Sequence, residues 1–310
     1  MAFSCWGDLG LERRTFVRNC VVSWLLLCTV AMAGTCGAQP SAEGSVILYS
    51  YPLAFNPAKA KLALEEKGIK YTEKKVDLFN GQSLEPWYLK LNPNASTPTL
   101  VAGDEKITES ADIIRWADRQ GTPLGGDSVD RAFVNEWLEK VDKWDGNLFV
   151  AANSGAGAAV KFSTKYKIKV AEAHAARNPE LAELYKQKIV TMEKTVAEIS
   201  DQALVESNRK QVKDLLDEAE TILASRKFLA GEEYSAADVI FTPVIYRMYI
   251  VKKEKEYVDT RPNMKRYYEE IKKRPSYKKT FAVSDSGFAT ASTILPALGK
   301  VLFSKATGKY

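Results

Sequence analysis

Residues 92–116, NPNASTPTLVAGDEKITESADIIRW, change their hydrophobic period partway along. Leu100 and Val101, a turn at Gly103-Asp104 and Ile107 beyond it predict a β-hairpin, whereas Glu109 to Trp116 repeats at helical spacing. A hairpin therefore feeds directly into a helix N-terminus. Thr97-Pro98 stands just before the first strand, where proline is tolerated only at a strand start or an edge. A cis bond there would draw two neighbouring backbones into a tight turn. Glu109-Ser110 stands just before the helix, where free amides and a side-chain hydroxyl favour an anionic group. A small peptide with a carboxylate at one end fits between these two points. From this stretch alone, a proline turn followed by an ordinary helix cap fits as well.

At 310 residues the chain is long enough for two domains, each with its own core. A net charge of +5 is modest for that length, and the basic residues are interspersed with acidic ones. Nucleic acid is not expected as a partner. The four cysteines, Cys5, Cys20, Cys28 and Cys36, all precede Gly37, so the main body carries no disulfide framework, thiolate nucleophile or cysteine metal site. His174 is the single histidine, in an alanine-rich stretch that reads as a solvated helix, and alone it builds no metal cluster. No metal is expected.

Arg13, Arg14 and Arg18 precede an apolar run over residues 20–33, and small residues lead on to Gln39-Pro40. A charged start, a short apolar middle and an Ala-x-Ala-like end make residues 1–40 an export or targeting signal. The run is shorter than the roughly twenty residues of a spanning helix, which favours a cleaved signal over a permanent anchor and leaves an uncleaved signal-anchor as the alternative. The Arg13-Arg14 pair resembles a twin-arginine signal, so export, the secretory pathway and the plastid are all open destinations.

Val46 to Tyr49 is a short buried-strand run, and Asn56-Pro57 reads as a helix start with Asn56 as cap and Pro57 at the first helical position. The helix ends at Lys67-Gly68, and residues 71–76 form a second strand. Together with the opening stretch this gives βαβ followed by ββα, a thioredoxin-like α/β domain over residues 46–121. The Gly- and Pro-rich residues 121–126 break any helix, so residues 122–130 read as a linker. An all-α domain follows over residues 131–280. Phe133, Trp137, Leu138, Val141 and Trp144 recur at helical steps and are core candidates. Residues 151–160 read as a flexible loop or loosened helix, and residues 161–203 as long charged helices in excess of a compact domain, an insertion. Ser235 and Asp238 have the spacing of a capping box. Arg261-Pro262 starts a helix that Arg274-Pro275 ends. The tail, residues 281–310, is weakly apolar among lysines and suits an anionic membrane surface, a frayed end or a cover over the second domain.

LYSYPLAFNPAKAKLALEEKGI, NPNASTPTL and ITESADII resemble, in order and spacing, the glutathione-binding domain of soluble glutathione transferases. The resemblance runs over about residues 46–279. LALEEKGI is especially similar to the plant class related to tetrachlorohydroquinone dehalogenase, and the inserted helices resemble the group related to ganglioside-induced differentiation proteins, which are membrane-associated. It implies glutathione as co-substrate and a small hydrophobic electrophile as the second partner, with a homodimer and a membrane surface as further partners. By this resemblance Thr97, before cis Pro98, pairs its backbone with the cysteinyl part of glutathione, and Glu109 and Ser110 hold the γ-glutamyl end. Ser96 stands where many relatives carry a longer polar residue, which weakens contact there. The Ser or Cys that serves the glutathione sulfur in related classes is matched here by Ala54, which has no hydroxyl. Ser50, Tyr51 and Asn56, with backbone amides at the helix start, are the candidates left to lower the thiol pKa. A pocket for the electrophile is expected from Tyr51, Phe55, Phe133, Trp137 and Tyr246. A non-catalytic ligand binder and a membrane adaptor are the alternative functions.

Overall fold

A computed structural model of the chain describes residues 45–52 and 54–285, with Gly299, Val301 and Phe303 beyond them. The expected signal at residues 1–40 and most of the expected tail lie outside the described residues. The order is β1 (Val46–Ser50), α1 (Phe55–Glu66), β2 (Thr72–Lys75), α2 (Pro86–Leu91), β3 (Thr99–Ala102), β4 (Glu105–Ile107) and α3 (Ser110–Asp118). The helical half follows with α4 (Arg131–Asp142), α5 (Gly146–Asn153), α6 (Gly157–Arg177), α7 (Ala182–Glu198), α8 (Gln202–Leu223), α9 (Ala236–Ile250), α10 (Glu254–Tyr257), α11 (Pro262–Lys273) and α12 (Pro275–Asp285). The sheet runs β2-β1-β3-β4, with β1 parallel to β2 and antiparallel to β3. This is the expected thioredoxin-like arrangement followed by helices. Among the described residues, no helix is long and apolar enough to cross a membrane.

Alternation in β1 sends Leu48 and Ser50 inward, and Leu48 meets Leu62, Ala63, Ile113 and Ile114 in a core that continues into the helical half. Trp137, Leu138, Val141 and Trp144 are buried there, as their spacing predicts. Asp238 closes the N-terminus of α9: its carboxylate accepts from the Ser235 N–H and hydroxyl at 2.8 Å each. It also accepts from the Leu229 N–H at 3.0 Å and the Tyr267 hydroxyl at 2.8 Å.

The insertion folds differently from its surface reading. Residues 151–160 hold a sharp break: α5 ends at Asn153, Gly155 takes φ +73°, and α6 starts at Gly157. α6 and α7 then pack back onto the sheet half, where Leu84, Leu89 and Ala95 form a second core with Tyr166, Val170, Leu181, Tyr185, Met192 and Val301. The Tyr185 hydroxyl donates to the Leu84 carbonyl at 2.8 Å, and the Ser163 hydroxyl to the Phe79 carbonyl at 2.8 Å. His174 is correspondingly buried, not solvated: its ring stacks on Tyr185 at 5.8 Å and lies 3.8 Å from the Glu85 carboxylate.

Candidate functional site

The loop before β3 is held by buried polar groups. Asn92 and Tyr88, both fully buried, reach across it. The Tyr88 hydroxyl donates to the Ser96 carbonyl at 2.6 Å and pairs with the Thr99 hydroxyl at 2.9 Å. Asn92 Nδ2 donates to the same two oxygens, at 3.0 and 2.9 Å. Burial pushes the Tyr88 phenol up to about 12, so it stays a donor at neutral pH. Ser96 is thereby committed through its backbone to the loop. Thr97 follows in a cis bond to Pro98. Thr97 is buried, yet its backbone N–H and carbonyl have no hydrogen-bond partner among the described residues, and its hydroxyl has none either. A buried backbone with free donor and acceptor is the edge that an extended peptide completes.

One residue before this loop, Asn94 donates to the Glu109 carboxylate at 3.0 Å and so ties the loop to the start of α3. Glu109 occupies the cap position without capping, and partial burial, reinforced by the charge of Asp142, raises its carboxyl above the ordinary value. Ser110 is buried at the first helical position, with no side-chain hydrogen bond among the described residues. The first-turn amides of α3 are open to an anion.

The start of α1 corrects the sequence reading. Ala54, not Asn56, occupies the cap position, and Phe55 begins the helix. Asn56 and Ala54 are two residues apart and either register keeps Pro57 in the first turn, where its missing N–H costs nothing. Asn56 is therefore released from capping, and its side chain has no hydrogen bond among the described residues. Ala54 and Asn56 line a cavity of about 450 Å³ together with Ser96 and Thr97. Its other wall comes from α5, α6, α7 and α9, including Lys167, Lys188 and Arg247.

Ser50 and Tyr51 do not reach this cavity. Both line a separate recess of about 210 Å³. The Ser50 hydroxyl is buried and donates to Glu73 at 2.5 Å, and burial with the Asp77 charge pushes the Tyr51 phenol far above its ordinary range. The Ser50 hydroxyl is thus engaged by Glu73, the Tyr51 phenol is held protonated, and neither lines the cavity beside Thr97. Of the three candidates only Asn56 faces the same space as Thr97. The expected aromatic pocket is also redrawn. Trp137 is core, with Phe133 stacked on it at 5.5 Å, and Tyr246 lines a narrow crevice beside Phe55. Only Phe55 among those five lines the larger cavity.

Phe55 carries a cation near its ring from each of two helices. Lys59 lies 4.5 Å and Arg247 5.0 Å from its centroid. Lys59 is buried and paired with Asp142 at 2.9 Å; burial lowers its pKa while Asp142 acts to restore it. A side chain at Gly146 would come within 2.8 Å of the Phe55 ring, so the close approach of α5 requires glycine. Arg247, by contrast, is 6 % exposed and makes no ion pair or hydrogen bond among the described residues. Sequence reasoning missed Tyr88, Asn92, Lys167, Lys188 and Arg247. An arginine inside the otherwise apolar run of α9 was the one visible signal, since a charge there must face a cavity or a partner.

Residues 56–120 match the family described as "Glutathione S-transferase, N-terminal domain", and residues 179–275 match "Glutathione S-transferase, C-terminal domain". The chain is 32% identical over 250 residues to glutathione S-transferase TCHQD of Arabidopsis thaliana, covering 80% of this chain and 94% of that one. It is 30% identical over 240 residues to the tetrachloro-p-hydroquinone reductive dehalogenase of Sphingobium chlorophenolicum, covering 75% and 94%. Among solved structures it is similar to glutathione S-transferase III in its apo form, with a TM-score of 0.56 at 26% identity, covering 77% of this chain and 96% of that one.

Proposed function

The chain belongs to the glutathione S-transferase family, and on that premise we propose that it binds glutathione along residues 96–98 and 109–110 and presents its thiolate to an electrophile in the adjoining cavity. The observation that carries this reading is the backbone of Thr97 at the cavity edge, which has no hydrogen-bond partner among the described residues. The cysteinyl part of glutathione adds to that backbone as a short strand does, and Pro98 fixes the turn that exposes it. Ser110 and the free amides of α3 receive the γ-glutamyl carboxylate, and Glu109 answers the neighbouring ammonium group. Ser96 contributes position rather than contact, because its carbonyl is already engaged by Tyr88 and Asn92.

The sulfur then lies toward Ala54. With no hydroxyl at that position, the donors near it are the Asn56 amide and the first-turn N–H groups of α1, a helix end that favours negative charge. Stabilising the thiolate over the thiol raises the nucleophile's population at neutral pH. The thiolate attacks the electrophilic carbon and the leaving group departs with its bonding pair, so the protein supplies orientation and charge stabilisation while glutathione supplies the nucleophile. The electrophile is a compound with an apolar body, consistent with Phe55, Val150 and Met192 along the cavity wall.

The test is calorimetric binding of glutathione followed by pH titration of the thiolate absorbance of the bound complex. A thiol pKa below that of free glutathione is expected. Glutathione that binds with an unshifted thiol pKa refutes the catalytic part and leaves a ligand-binding protein.

A further inference from the structure

The cavity beside Thr97 has a wall of unusual charge. Three cationic side chains line it, Lys167 from α6, Lys188 from α7 and Arg247 from α9, and no Asp or Glu is among its lining residues. The Asp145 carboxylate acts on Arg247 from outside the cavity lining without pairing with it. None of the three makes a salt bridge among the described residues, although many other lysines and arginines of the chain do. Lys188 donates to the Asn94 carbonyl at 2.6 Å, a neutral partner. Lys167 and Arg247 have no hydrogen-bond partner among the described residues, and the Arg247 residue is 6 % exposed. The Arg247 guanidinium lies over the Phe55 ring at 5.0 Å and lines the cavity, so its charge is presented to the cavity and an entering anion is attracted to it. Lys167 and Lys188 line the same wall of the cavity, and burial, with repulsion from Lys188 adding to it, lowers the Lys167 amine to about 8.

The geometry points to a carboxylate-binding subsite formed by Lys167 and Lys188 on the helical wall of the cavity, with Arg247 adding positive charge to the same cavity from α9. Resting on the glutathione-transferase reading, it restricts the ligand class: an apolar body with an acid group. The acid belongs either to the electrophile or to the free glycyl end of glutathione, and the chemistry of capture is the same for both. Guanidinium and ammonium groups in a cavity of this kind form charge-assisted hydrogen bonds, which are about twice as strong as neutral ones. A neutral ester of the same shape forfeits them.

Binding is measured first without glutathione, using 3,5-dinitrobenzoate and its methyl ester as unreactive probes. The wild-type chain is expected to hold the acid about tenfold more tightly than the ester, as for a charge-assisted pair. Lys167→Met is expected to remove most of that preference and Lys167→Arg to keep it. Lys167 makes no hydrogen bond or ion pair among the described residues and Met keeps the packing of its aliphatic stem, so the fold is expected to be retained, which circular dichroism checks. Turnover then assigns the source. In 4-chloro-3,5-dinitrobenzoate the thiolate forms a carbon–sulfur bond at the ring carbon and chloride leaves with the electron pair. A KM effect of Lys167→Met confined to this acid against its methyl ester places the carboxylate on the electrophile. An effect confined to glutathione against its glycyl ethyl ester places it on the co-substrate. Equal binding of acid and ester by the wild type, or a preference untouched by both Lys167→Met and Lys188→Met, overturns the subsite. Because the probe arm needs no catalysis, probe binding without glutathione binding overturns the proposed function and leaves the subsite standing.

Discussion

Replacing Asp238 with Ala is expected to be among the most damaging single changes in the helical half. The carboxylate is fully buried and accepts four hydrogen bonds, from the Leu229 and Ser235 N–H groups and the Ser235 and Tyr267 hydroxyls. Alanine removes every acceptor and leaves four donors facing a small void. A buried donor without a partner costs about 1–3 kcal/mol, so at the lower end the loss is about 4 kcal/mol. That is a large share of a typical total of about 5–15 kcal/mol. Asp238→Asn keeps the volume and two of the four acceptor contacts, while its amide N–H group confronts the other two donors, so it falls between wild type and alanine. Urea unfolding followed by tryptophan fluorescence reads the change as a shift of midpoint at constant slope. A loss near 1 kcal/mol or less, the cost of an isolated helix cap, refutes the idea that one carboxylate joins α9, α11 and the loop before them.

Glu66 at the end of α1 accepts from Arg274 through two nitrogens at 2.7 Å each, and from the Ser276 hydroxyl. Glu66→Gln should therefore cost about 2 kcal/mol, between the exposed and fully buried limits for an ion pair, and unfolding curves check it. Ser110→Ala is expected to raise the KM for glutathione severalfold with little change in kcat, whereas Asn56→Ala should raise the bound thiol pKa and lower kcat, both read by steady-state kinetics and thiolate absorbance. Binding of 3,5-dinitrobenzoate should weaken as pH rises through about 8, because the Lys167 amine attracts the carboxylate only while protonated and Lys188 stands beside it; calorimetry across that range measures it. Binding that is constant between neutral pH and 9 would show that Lys167 does not contact the acid.

The elements around Thr97 were legible because their signals are local. The hairpin, the Thr97-Pro98 turn, the α3 start and the Ser235–Asp238 box each depend on residues within a few positions of one another. The start of α1 was displaced because Asn56-Pro57 carries a stronger cap pattern than Ala54-Phe55, while Phe55 is drawn into helix by packing on Trp144 at 5.6 Å. His174 and the cationic wall were not legible. Their surroundings are made by α6 and α7 folding back onto residues 79–95, contacts about a hundred positions apart such as Tyr185 to Leu84. Apolar residues are spread around α6 with little periodicity and only moderately sided in α7, so the sequence does not show what these helices face.

Along the chain, the glycine-rich residues 121–126 divide a sheet half from a helical half, but packing draws the border elsewhere. Leu84, Leu89 and Ala95 of the sheet half are covered by α6 and α7, which come much later in sequence. A chain ending at Gly126 would lay those residues bare, so the sheet half cannot be exchanged as a module between relatives unless these two helices travel with it. The same two helices carry Lys167 and Lys188. Any recombination that swaps the helical half thus replaces the roof of the first half and the chemistry of the cavity in a single event, and inheritance of one is tied to inheritance of the other.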